Sequence, residues 1–407
     1  MKINNFIVLV LDSFGIGEMA DVSKVRPQDK GSNTVLHLME NKEAKYWNNL
    51  EKLGLFNALG NDKYKNKYSK TATYGKSELK HFGADTFFGH QEIIGTRPKE
   101  PIKMKFSEVI DEVENDLERN NFKVNRYKKN NLELLVVNKS IFIGDNMETD
   151  LGQAINVVGA LDISGFDNIK KVGNIVRKHV KVPRVIAFGG SDVVYSDLEA
   201  NVITKDDYIG VDAPNSGVYK KNYHCVHIGY GVEPTVQLPY ILNKIDIKTY
   251  LYGKVADICY NPNDLFYPNV DTDLVFMDLI HNLKSNKKGF HFVNIQETDL
   301  SGHDQNPEKY INIVNKSDVY IGGLIKLLGK DDLLIVMADH GNDPTNGSSK
   351  HSRENVPILI YNSKISNIQK PNYIGLRKTM ADVGATGAEF YGTKLENGTS
   401  FLKELKL

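Results

Sequence analysis

The sequence has few cysteines, no long apolar run and no excess of either charge. Its two cysteines among 407 residues, Cys225 and Cys259, are far apart and in no metal-ligand spacing, so we expect no disulfide framework. The early apolar run Phe6–Leu11 is too short for the hydrophobic region of a signal peptide, and no run is long enough to cross a bilayer. These absences predict a cytoplasmic protein.

The charge balance excludes a broad electrostatic attraction to nucleic acid or to anionic membranes. Lys plus Arg and Asp plus Glu both number 51, and the short basic stretch 125–130 is typical of a solvated turn. Hydrophobic residues make up 41% and charged residues 25%, as in ordinary globular proteins. We therefore expect a small-molecule partner, and the oligomeric state stays open.

The length suits two domains, or one α/β core that carries an insertion. Fully apolar runs at 6–11, 290–295 and 333–337 are typical of strands covered on both faces of a parallel sheet. Residues 101–220 have a different texture, with charged helical stretches and short strands. We predict a core domain from 1–100 and 221–407, and an inserted α+β domain from 101–220.

A helix predicted over 307–328 connects the second and third of these strands. One buried face is expected from its apolar spacing, and the strand–helix–strand unit should be right-handed. The residues assigned to that face are Tyr310, Ile313, Val319, Ile321, Leu324 and Leu327.

Metal-ligand residue types follow each of the three strands. Ligands in open α/β sheets sit beyond the carboxyl ends of the strands, so these side chains should converge. A mixed Asp/His set favours Zn²⁺ or Mn²⁺ over Ca²⁺, and six ligands suit two ions that could clamp a phosphoryl group. Any single motif is weak evidence, but the ordered set predicts a two-metal site formed by Asp12, Asp299, His303, Asp339, His340 and His351.

Several motifs resemble those of phosphopentomutases, a family of the alkaline phosphatase superfamily. They are Asp-Ser-Phe-Gly-Ile-Gly at 12–17, Gly-Ser-Asn-Thr at 31–34, Ala-Asp-His-Gly-Asn-Asp-Pro at 338–344, His-Ser-Arg-Glu-Asn-Val-Pro at 351–357, and tail segments at 376–386 and 398–402. The resemblance implies an alkaline-phosphatase-like core with a mostly parallel sheet flanked by helices, and a smaller inserted cap. It also implies a mutase that moves phosphate within a sugar phosphate, by default from ribose or deoxyribose 1-phosphate to the 5-phosphate.

The family's nucleophile is a threonine that follows an aspartate and precedes Gly-His, which implies Thr86 in the segment 83–93. A competing interpretation makes Thr86 a helix N-cap, and both roles are compatible. Metal coordination would lower the pKa of the threonine hydroxyl. For Asp85 and His90 we favour support of neighbouring groups over ligation.

The resemblance also divides the ligands between two ions, most readily Mn²⁺, with Zn²⁺ as the alternative. It assigns Asp12, Thr86, Asp339 and His340 to one ion, and Asp299, His303 and His351 to the other. Substrate contacts are implied less specifically for Lys254, Arg184 and Asp150.

The sequence departs from the family beside the nucleophile. Ala84 replaces a usual lysine, Phe88 a threonine and Gln91 a tryptophan, which predicts a more apolar pocket and leaves the substrate open. Two other functions remain: a metal-dependent phosphatase or phosphodiesterase, in which water takes the phosphate, and a catalytically inactive metal-binding paralogue.

Overall fold

The structure, a computed structural model, describes residues 4–148, 151–365 and 370–406. The chain forms two compact units, the first from Met1–Pro98 and Glu233–Leu407 and the second from Lys99–Val232. The second unit thus continues beyond the boundary expected at residue 220. The reason is a strand at His224–Gly229, which pairs antiparallel with a strand at Arg184–Gly190 of the same unit.

Both units contain β-strands. In chain order they are β1 (Phe6–Leu11), β2 (Thr73–Ser77), β3 (Val124–Lys129), β4 (Leu132–Val137), β5 (Ile141–Asp145), β6 (Ala154–Ala160), β7 (Arg184–Gly190), β8 (Val202–Lys205), β9 (Tyr208–Val211), β10 (His224–Gly229), β11 (Thr249–Tyr252), β12 (Phe266–Tyr267), β13 (Phe290–Ile295), β14 (Leu333–Met337), β15 (Val356–Tyr361) and β16 (Asn372–Arg377).

The α-helices vary from single turns to six turns. They are α1 (Val22–Val25), α2 (Thr34–Glu40), α3 (Asn48–Leu53), α4 (Leu55–Leu59), α5 (Thr86–Ile93), α6 (Ile110–Arg119), α7 (Leu161–Ser164), α8 (Phe166–His179), α9 (Tyr195–Ala200), α10 (Ala213–Ser216), α11 (Leu238–Asn243), α12 (Val255–Ile258), α13 (Thr272–Lys284), α14 (Glu297–His303), α15 (Pro307–Leu327) and α16 (Ala381–Phe390). Short 3₁₀ helices span Pro27–Asp29, Asp62–Lys67, Phe106–Glu108, Pro234–Val236 and Leu402–Leu405.

The first unit is built on an eight-stranded sheet in the order β12-β11-β13-β1-β14-β15-β2-β16. Its pairings are parallel except those that β15 makes with β14 and β2. The predicted strands β1, β13 and β14 have the expected bounds, and all of their residues are buried. A strand covered on both faces must be apolar on both faces, so this sequence pattern is a reliable guide to the centre of the sheet.

Helix α15 agrees with its predicted bounds to one residue, but part of its predicted buried face was wrong. Val319 is 69% exposed and Leu327 is 37% exposed. The polar residues Ser317 and Asp318 are buried instead. The Asp318 carboxylate accepts hydrogen bonds from the backbone amides of Asn49 (3.0 and 3.1 Å) and Leu50 (2.7 Å) at the start of α3. A buried acid that caps another helix can replace an apolar residue on a packed face.

The second unit is an α+β unit with its own core. Its main sheet has the order β10-β7-β6-β5-β4-β3 and is antiparallel apart from the β6–β7 pair. One apolar cluster joins α6 and α8 to this sheet, and another joins the sheet to the β8–β9 hairpin.

Two findings concern the absences noted in the sequence. Both cysteines are free thiols. Within the described ranges, no helix combines the length and the apolar character that crossing a membrane requires.

A buried histidine in β13 should make the stability depend on pH. His291 Nδ1 lies 2.9 Å from the Tyr252 hydroxyl and its Nε2 lies 3.1 Å from the Lys287 carbonyl oxygen. Burial, with smaller effects of nearby lysines, lowers the pKa of His291 to about 3. The unfolded chain therefore takes up a proton near the ordinary pKa of about 6.5 while the folded chain does not, so stability present above that pH is lost as the pH falls toward 3.

We predict that the free energy of unfolding, measured with urea, falls by about 2 kcal/mol between pH 6.5 and pH 5 because of this residue. A His291→Gln variant should show a flatter profile over the same range. Changing the exposed His281 of α13 to Gln is the matched control and should leave the profile as in the wild type. An unchanged pH dependence in His291→Gln would contradict the assignment.

Candidate metal centre and nucleophile

Three carboxylates meet at one edge of the main sheet. Strand β1 lies between β13 and β14 and is parallel to both, so the carboxyl ends of the three strands are adjacent. Asp12 directly follows β1, Asp339 follows β14 after one residue, and Asp299 lies in the first turn of α14 after β13. All three side chains are buried. The topology thus brings together the acids that the sequence placed at separate strand ends.

Histidine nitrogens complete two groups of donor atoms at this edge. One group consists of Asp12, Asp339 and His340, and the other of Asp299, His340 and His351. Within each group the ligand atoms lie within 4.8 Å of one another. His340 belongs to both groups, although the sequence resemblance assigned it to one ion only.

The environment of His340 fits a metal ligand. Its Nδ1 lies 3.0 Å from the Gly341 carbonyl oxygen, so Nδ1 carries the hydrogen. Its Nε2 is buried and has no hydrogen-bond partner among the described residues. Burial, together with the nearby His351, lowers the pKa of His340 to about 3, which keeps the ring neutral. A neutral imidazole with a buried, unshared lone pair aimed at carboxylates suits a divalent ion such as Mn²⁺ or Zn²⁺.

His303 and His351 surround Asp299. Their Nε2 atoms lie 3.3 Å from Asp299 Oδ2 and Oδ1, respectively, and 3.1 Å from each other. Their Nδ1 atoms donate to the carbonyl oxygens of Ser349 (2.6 Å) and Ala84 (3.0 Å), which turns both Nε2 atoms toward the acid. Burial opposes ionisation of Asp299, but the two histidines outweigh it and hold its pKa well below the ordinary value.

The Thr86 hydroxyl lies next to the carboxylates of Asp12 and Asp339. Its Oγ1 donates to Asp339 Oδ2 at 2.8 Å and lies 3.3 Å from Asp12 Oδ1. The N-cap of α5 is Asp85, whose carboxylate accepts a hydrogen bond from the Phe88 amide at 3.0 Å. The interpretation of Thr86 as the N-cap was therefore wrong by one residue. Because Asp85 does the capping, the Thr86 hydroxyl is available to the site.

Gly89 explains how α5 approaches the end of β14 so closely. A Cβ atom at Gly89 would lie 3.0 Å from both the Cβ and the carbonyl oxygen of Asp339. A side chain there would push the helix, and Thr86 with it, away from the carboxylates.

Lys254 places a positive charge among the acids. Its Nζ lies 3.1 Å from Asp12 Oδ2, 3.4 Å from Asp299 Oδ2 and 3.3 Å from Thr86 Oγ1. Burial opposes the charge, but the surrounding carboxylates outweigh it and raise the pKa of Lys254 above its ordinary value. The ammonium group therefore contacts the nucleophile and two proposed ligands directly.

Two further residues, Arg184 and Asp150, were assigned to substrate binding from the sequence. Arg184 begins β7 in the second unit. Asp150 lies outside the described residues. Their role in substrate binding stays a prediction from the sequence.

Asn294 and His90 connect Thr86 to Asp12, and sequence reasoning missed the asparagine. Asn294 Nδ2 lies 2.9 Å from Asp12 Oδ2 and 2.8 Å from His90 Nε2. His90 Nδ1 in turn donates to the Thr86 carbonyl oxygen at 2.7 Å. An asparagine within an otherwise largely apolar, fully buried strand was the available signal, because a buried amide requires polar partners.

Ser13 adopts a strained backbone immediately after Asp12. Its φ is +67°, in the left-handed region that costs a non-glycine residue about 1 kcal/mol or more. The Ser13 amide donates to Asp339 Oδ1 at 3.0 Å, and its hydroxyl lies 2.9 Å from the Tyr310 hydroxyl. These bonds hold the turn that sets Asp12 beside Asp339.

The side chains after Thr86 that include the departures from the family pattern are buried. Phe87 and Phe88 are buried and contact each other edge to face at 5.4 Å. Gln91 is buried and donates to the Ile258 carbonyl oxygen at 2.7 Å. The expectation that these aromatic rings make the pocket more apolar stays a prediction from the sequence.

Comparison with known proteins identifies the family. A family model described as the metalloenzyme superfamily matches residues 4–395. The chain belongs to this superfamily. The α/β, alkaline-phosphatase-like fold class predicted from the sequence is thereby confirmed.

Solved structures similar to this chain share little sequence with it. The PH0037 protein of Pyrococcus horikoshii is 13% identical, with 98% of this chain and 99% of that chain covered and a TM-score of 0.45. A phosphoglycerate mutase of Leishmania mexicana is 13% identical, with 98% of each chain covered and a TM-score of 0.46. An alkaline phosphatase from the Antarctic bacterium TAB5 is 12% identical, with 96% and 98% covered and a TM-score of 0.35. None of these similarities informs the substrate.

We predict that the protein binds two Mn²⁺ ions per chain in calorimetric titrations at neutral pH. An Asp299→Asn variant should weaken one of the two sites by at least about tenfold, because that site loses its only carboxylate. Asp304→Asn, an exposed acid just after α14, is the matched control and should bind as the wild type does. Two unchanged sites in Asp299→Asn would contradict the proposed ligand set.

Proposed function

We propose that the protein is a metal-dependent phosphomutase that moves a phosphoryl group between two positions of a sugar phosphate through Thr86. The observation that carries this proposal is the position of the Thr86 hydroxyl. It lies 2.8 Å from Asp339 and 3.3 Å from Lys254, next to the group of metal-ligand atoms formed by Asp12, Asp339 and His340. It is also partly exposed, so a phosphate ester could reach it.

The residues around Thr86 fit the two requirements of a phosphate-carrying nucleophile. Its hydroxyl donates a hydrogen bond to Asp339 Oδ2, a proposed metal ligand, at 2.8 Å. Metal coordination at these carboxylates would lower the pKa of the hydroxyl, so that Oγ1 could attack phosphorus. Lys254 Nζ donates to the same oxygen and would counter its developing negative charge.

Two divalent ions held by Asp12, Thr86, Asp339 and His340, and by Asp299, His303 and His351, would supply Lewis-acid stabilisation of the charge on the phosphoryl group. The protein groups hold the site in shape. Asn294 fixes Asp12, His90 fixes the backbone of Thr86, and the Ala84 carbonyl orients His351.

In the proposed cycle, phosphorylated Thr86 gives its phosphoryl group to a free hydroxyl of the sugar monophosphate, and the threonine regains a proton. The resulting bisphosphate then returns its other phosphoryl group to Thr86 and leaves as the isomer. Phosphate is conserved over the cycle. A pentose phosphate is the default substrate, on the strength of the sequence motifs that resemble phosphopentomutases.

The alternative of an inactive paralogue is disfavoured by where the unusual residues lie. Phe88 and Gln91 are buried, and Ala84 contributes its backbone carbonyl to His351. No hydrogen bond described for Thr86 Oγ1 involves any of the three positions. The family departures therefore leave the polar surroundings of the nucleophile intact.

We predict that Mn²⁺-loaded protein incubated with a pentose bisphosphate gains one phosphoryl group on Thr86, detectable by intact mass and peptide mapping. Thr86→Ala should lose this modification and reduce turnover at least about a thousandfold, because no other hydroxyl replaces the nucleophile. Thr71→Ala, at an exposed position, is the control and should behave as the wild type.

The products distinguish mutase from hydrolase. With ribose 1-phosphate as substrate, phosphorus NMR should show ribose 5-phosphate without stoichiometric free phosphate. Stoichiometric inorganic phosphate would replace the proposal with a phosphatase, and full activity of Thr86→Ala would refute the role of Thr86.

A further inference from the structure

His81 and Glu92 form a buried, hydrogen-bonded pair on either side of Thr86 in the sequence. This pair has no part in the chemistry described above. Glu92 is in the last turn of α5, and His81 is in the loop that leads into this helix. Both side chains are almost completely buried, with His81 1% exposed and Glu92 0% exposed. Buried polar groups are costly unless their hydrogen bonds are satisfied, so the position of this pair calls for a physical reason.

Glu92 collects hydrogen bonds from two segments of the chain. From the loop it accepts the backbone amides of Lys80 (3.1 Å) and His81 (2.9 Å). From the segment before α16 it accepts the Thr379 hydroxyl (2.7 Å) and the Met380 amide (2.8 Å). Burial alone would raise the pKa of Glu92, but these donors and the His81 ring outweigh it and lower the pKa. The carboxylate is therefore a fixed anchor for the loop.

The His81 ring connects Glu92 by hydrogen bonds to Asp85, the residue before Thr86. Its Nδ1 lies 2.8 Å from Glu92 Oε2 and must donate to that carboxylate. Its Nε2 accepts a hydrogen bond from the backbone amide of Asp85 at 3.3 Å. An imidazole that donates from Nδ1 and accepts at Nε2 is neutral and has one orientation.

The Asp85 amide in turn controls where Thr86 points. Asp85 has an extended backbone, with φ −124° and ψ 123°, and its carboxylate caps α5 at the Phe88 amide. Rotation of this one residue would move the Thr86 hydroxyl away from Asp339. A hydrogen bond on the Asp85 amide opposes such a rotation.

Arg353 holds the opposite side of the same loop. Its guanidinium donates to the carbonyl oxygens of Leu79 (3.0 Å), His81 (2.9 Å) and Gly83 (2.6 Å). It follows His351 by two residues and pairs with Asp21. The loop is thus fixed through its amides by the His81–Glu92 pair and through its carbonyls by an arginine next to a proposed ligand.

We propose that His81 and Glu92 are positioning residues that fix the Thr86 hydroxyl in its reactive orientation by holding the Asp85 amide. This inference deepens the proposed function and rests on it for its effect on turnover. Within the described residues, neither side chain forms a hydrogen bond with an aspartate or histidine proposed as a metal ligand, so loss of the pair should reduce kcat and leave KM and metal affinity nearly unchanged.

Two substitutions of His81 separate the hydrogen bond of its ring to Glu92 from the hydrogen bond of its ring to the Asp85 amide. His81→Asn keeps a donor near Glu92 but cannot reach the Asp85 amide. His81→Gln carries an amide oxygen at the distance of the lost Nε2 and can still accept from Asp85. His179→Asn is the matched control, because His179 pairs with Asp116 at 3.0 Å in the second unit.

The measurements are kcat and KM for the sugar phosphate, Mn²⁺ affinity, and hydrogen exchange of the Asp85 amide in the metal-loaded protein. We expect His81→Asn to lower kcat at least about tenfold and to speed exchange at Asp85, with metal affinity within about twofold of the wild type. His81→Gln should recover most of both effects, and His179→Asn should show neither.

The outcomes also separate this inference from the proposed function. Unchanged kcat and unchanged Asp85 exchange in His81→Asn would overturn the inference, as would equal losses in the Asn and Gln variants. If the wild type turned over no sugar phosphate, the proposed function would fail. The exchange rates would then decide on their own whether His81 holds the Asp85 amide.

Discussion

The pairing of β1 between two parallel strands is the constraint on which the site depends. It forces Asp12, Asp299 and Asp339 to meet at one buried edge, where their like charges repel one another. Buried carboxylates this close are tolerated only when cations or hydrogen-bond donors compensate them. The Lys254 ammonium and the Asn294 amide provide part of that compensation. The unshared lone pair of His340 indicates that divalent cations provide the rest.

Helix α5 packs closely against this edge of the sheet. Gly89 lets the helix approach Asp339, Asp85 caps its first turn, and Thr86 is left to face the carboxylates. The left-handed backbone of Ser13 is the corresponding adjustment in the turn after β1. The strained backbone of Ser13 and the close approach of Gly89 to Asp339 therefore both occur near the Thr86 hydroxyl. Such strain is common where a protein holds reactive groups in a fixed geometry.

Simple periodicity and strand order were enough to predict the centre of the sheet, and the place of the metal site stays a prediction. Fully apolar runs located β1, β13 and β14, and the acids and histidines after them indicated where a metal centre would form. The features that escaped prediction depend on tertiary contacts. Val319 is exposed because Asp318 turns inward to cap α3, and residues 221–232 join the second unit because β10 pairs with β7. Capping by Asp85 rather than Thr86, and the approach of Lys254 to Thr86, likewise become visible only in the folded chain.

The most direct test of the two-metal centre is anomalous diffraction from crystals of the protein grown with Mn²⁺. We expect two manganese peaks at the sheet edge, one contacted by Asp12, Thr86, Asp339 and His340, and the other by Asp299, His303 and His351. The absence of manganese at these side chains, with the Lys254 ammonium still bridging Asp12 and Asp299 in the presence of saturating metal, would contradict the assignment of this edge as a metal centre.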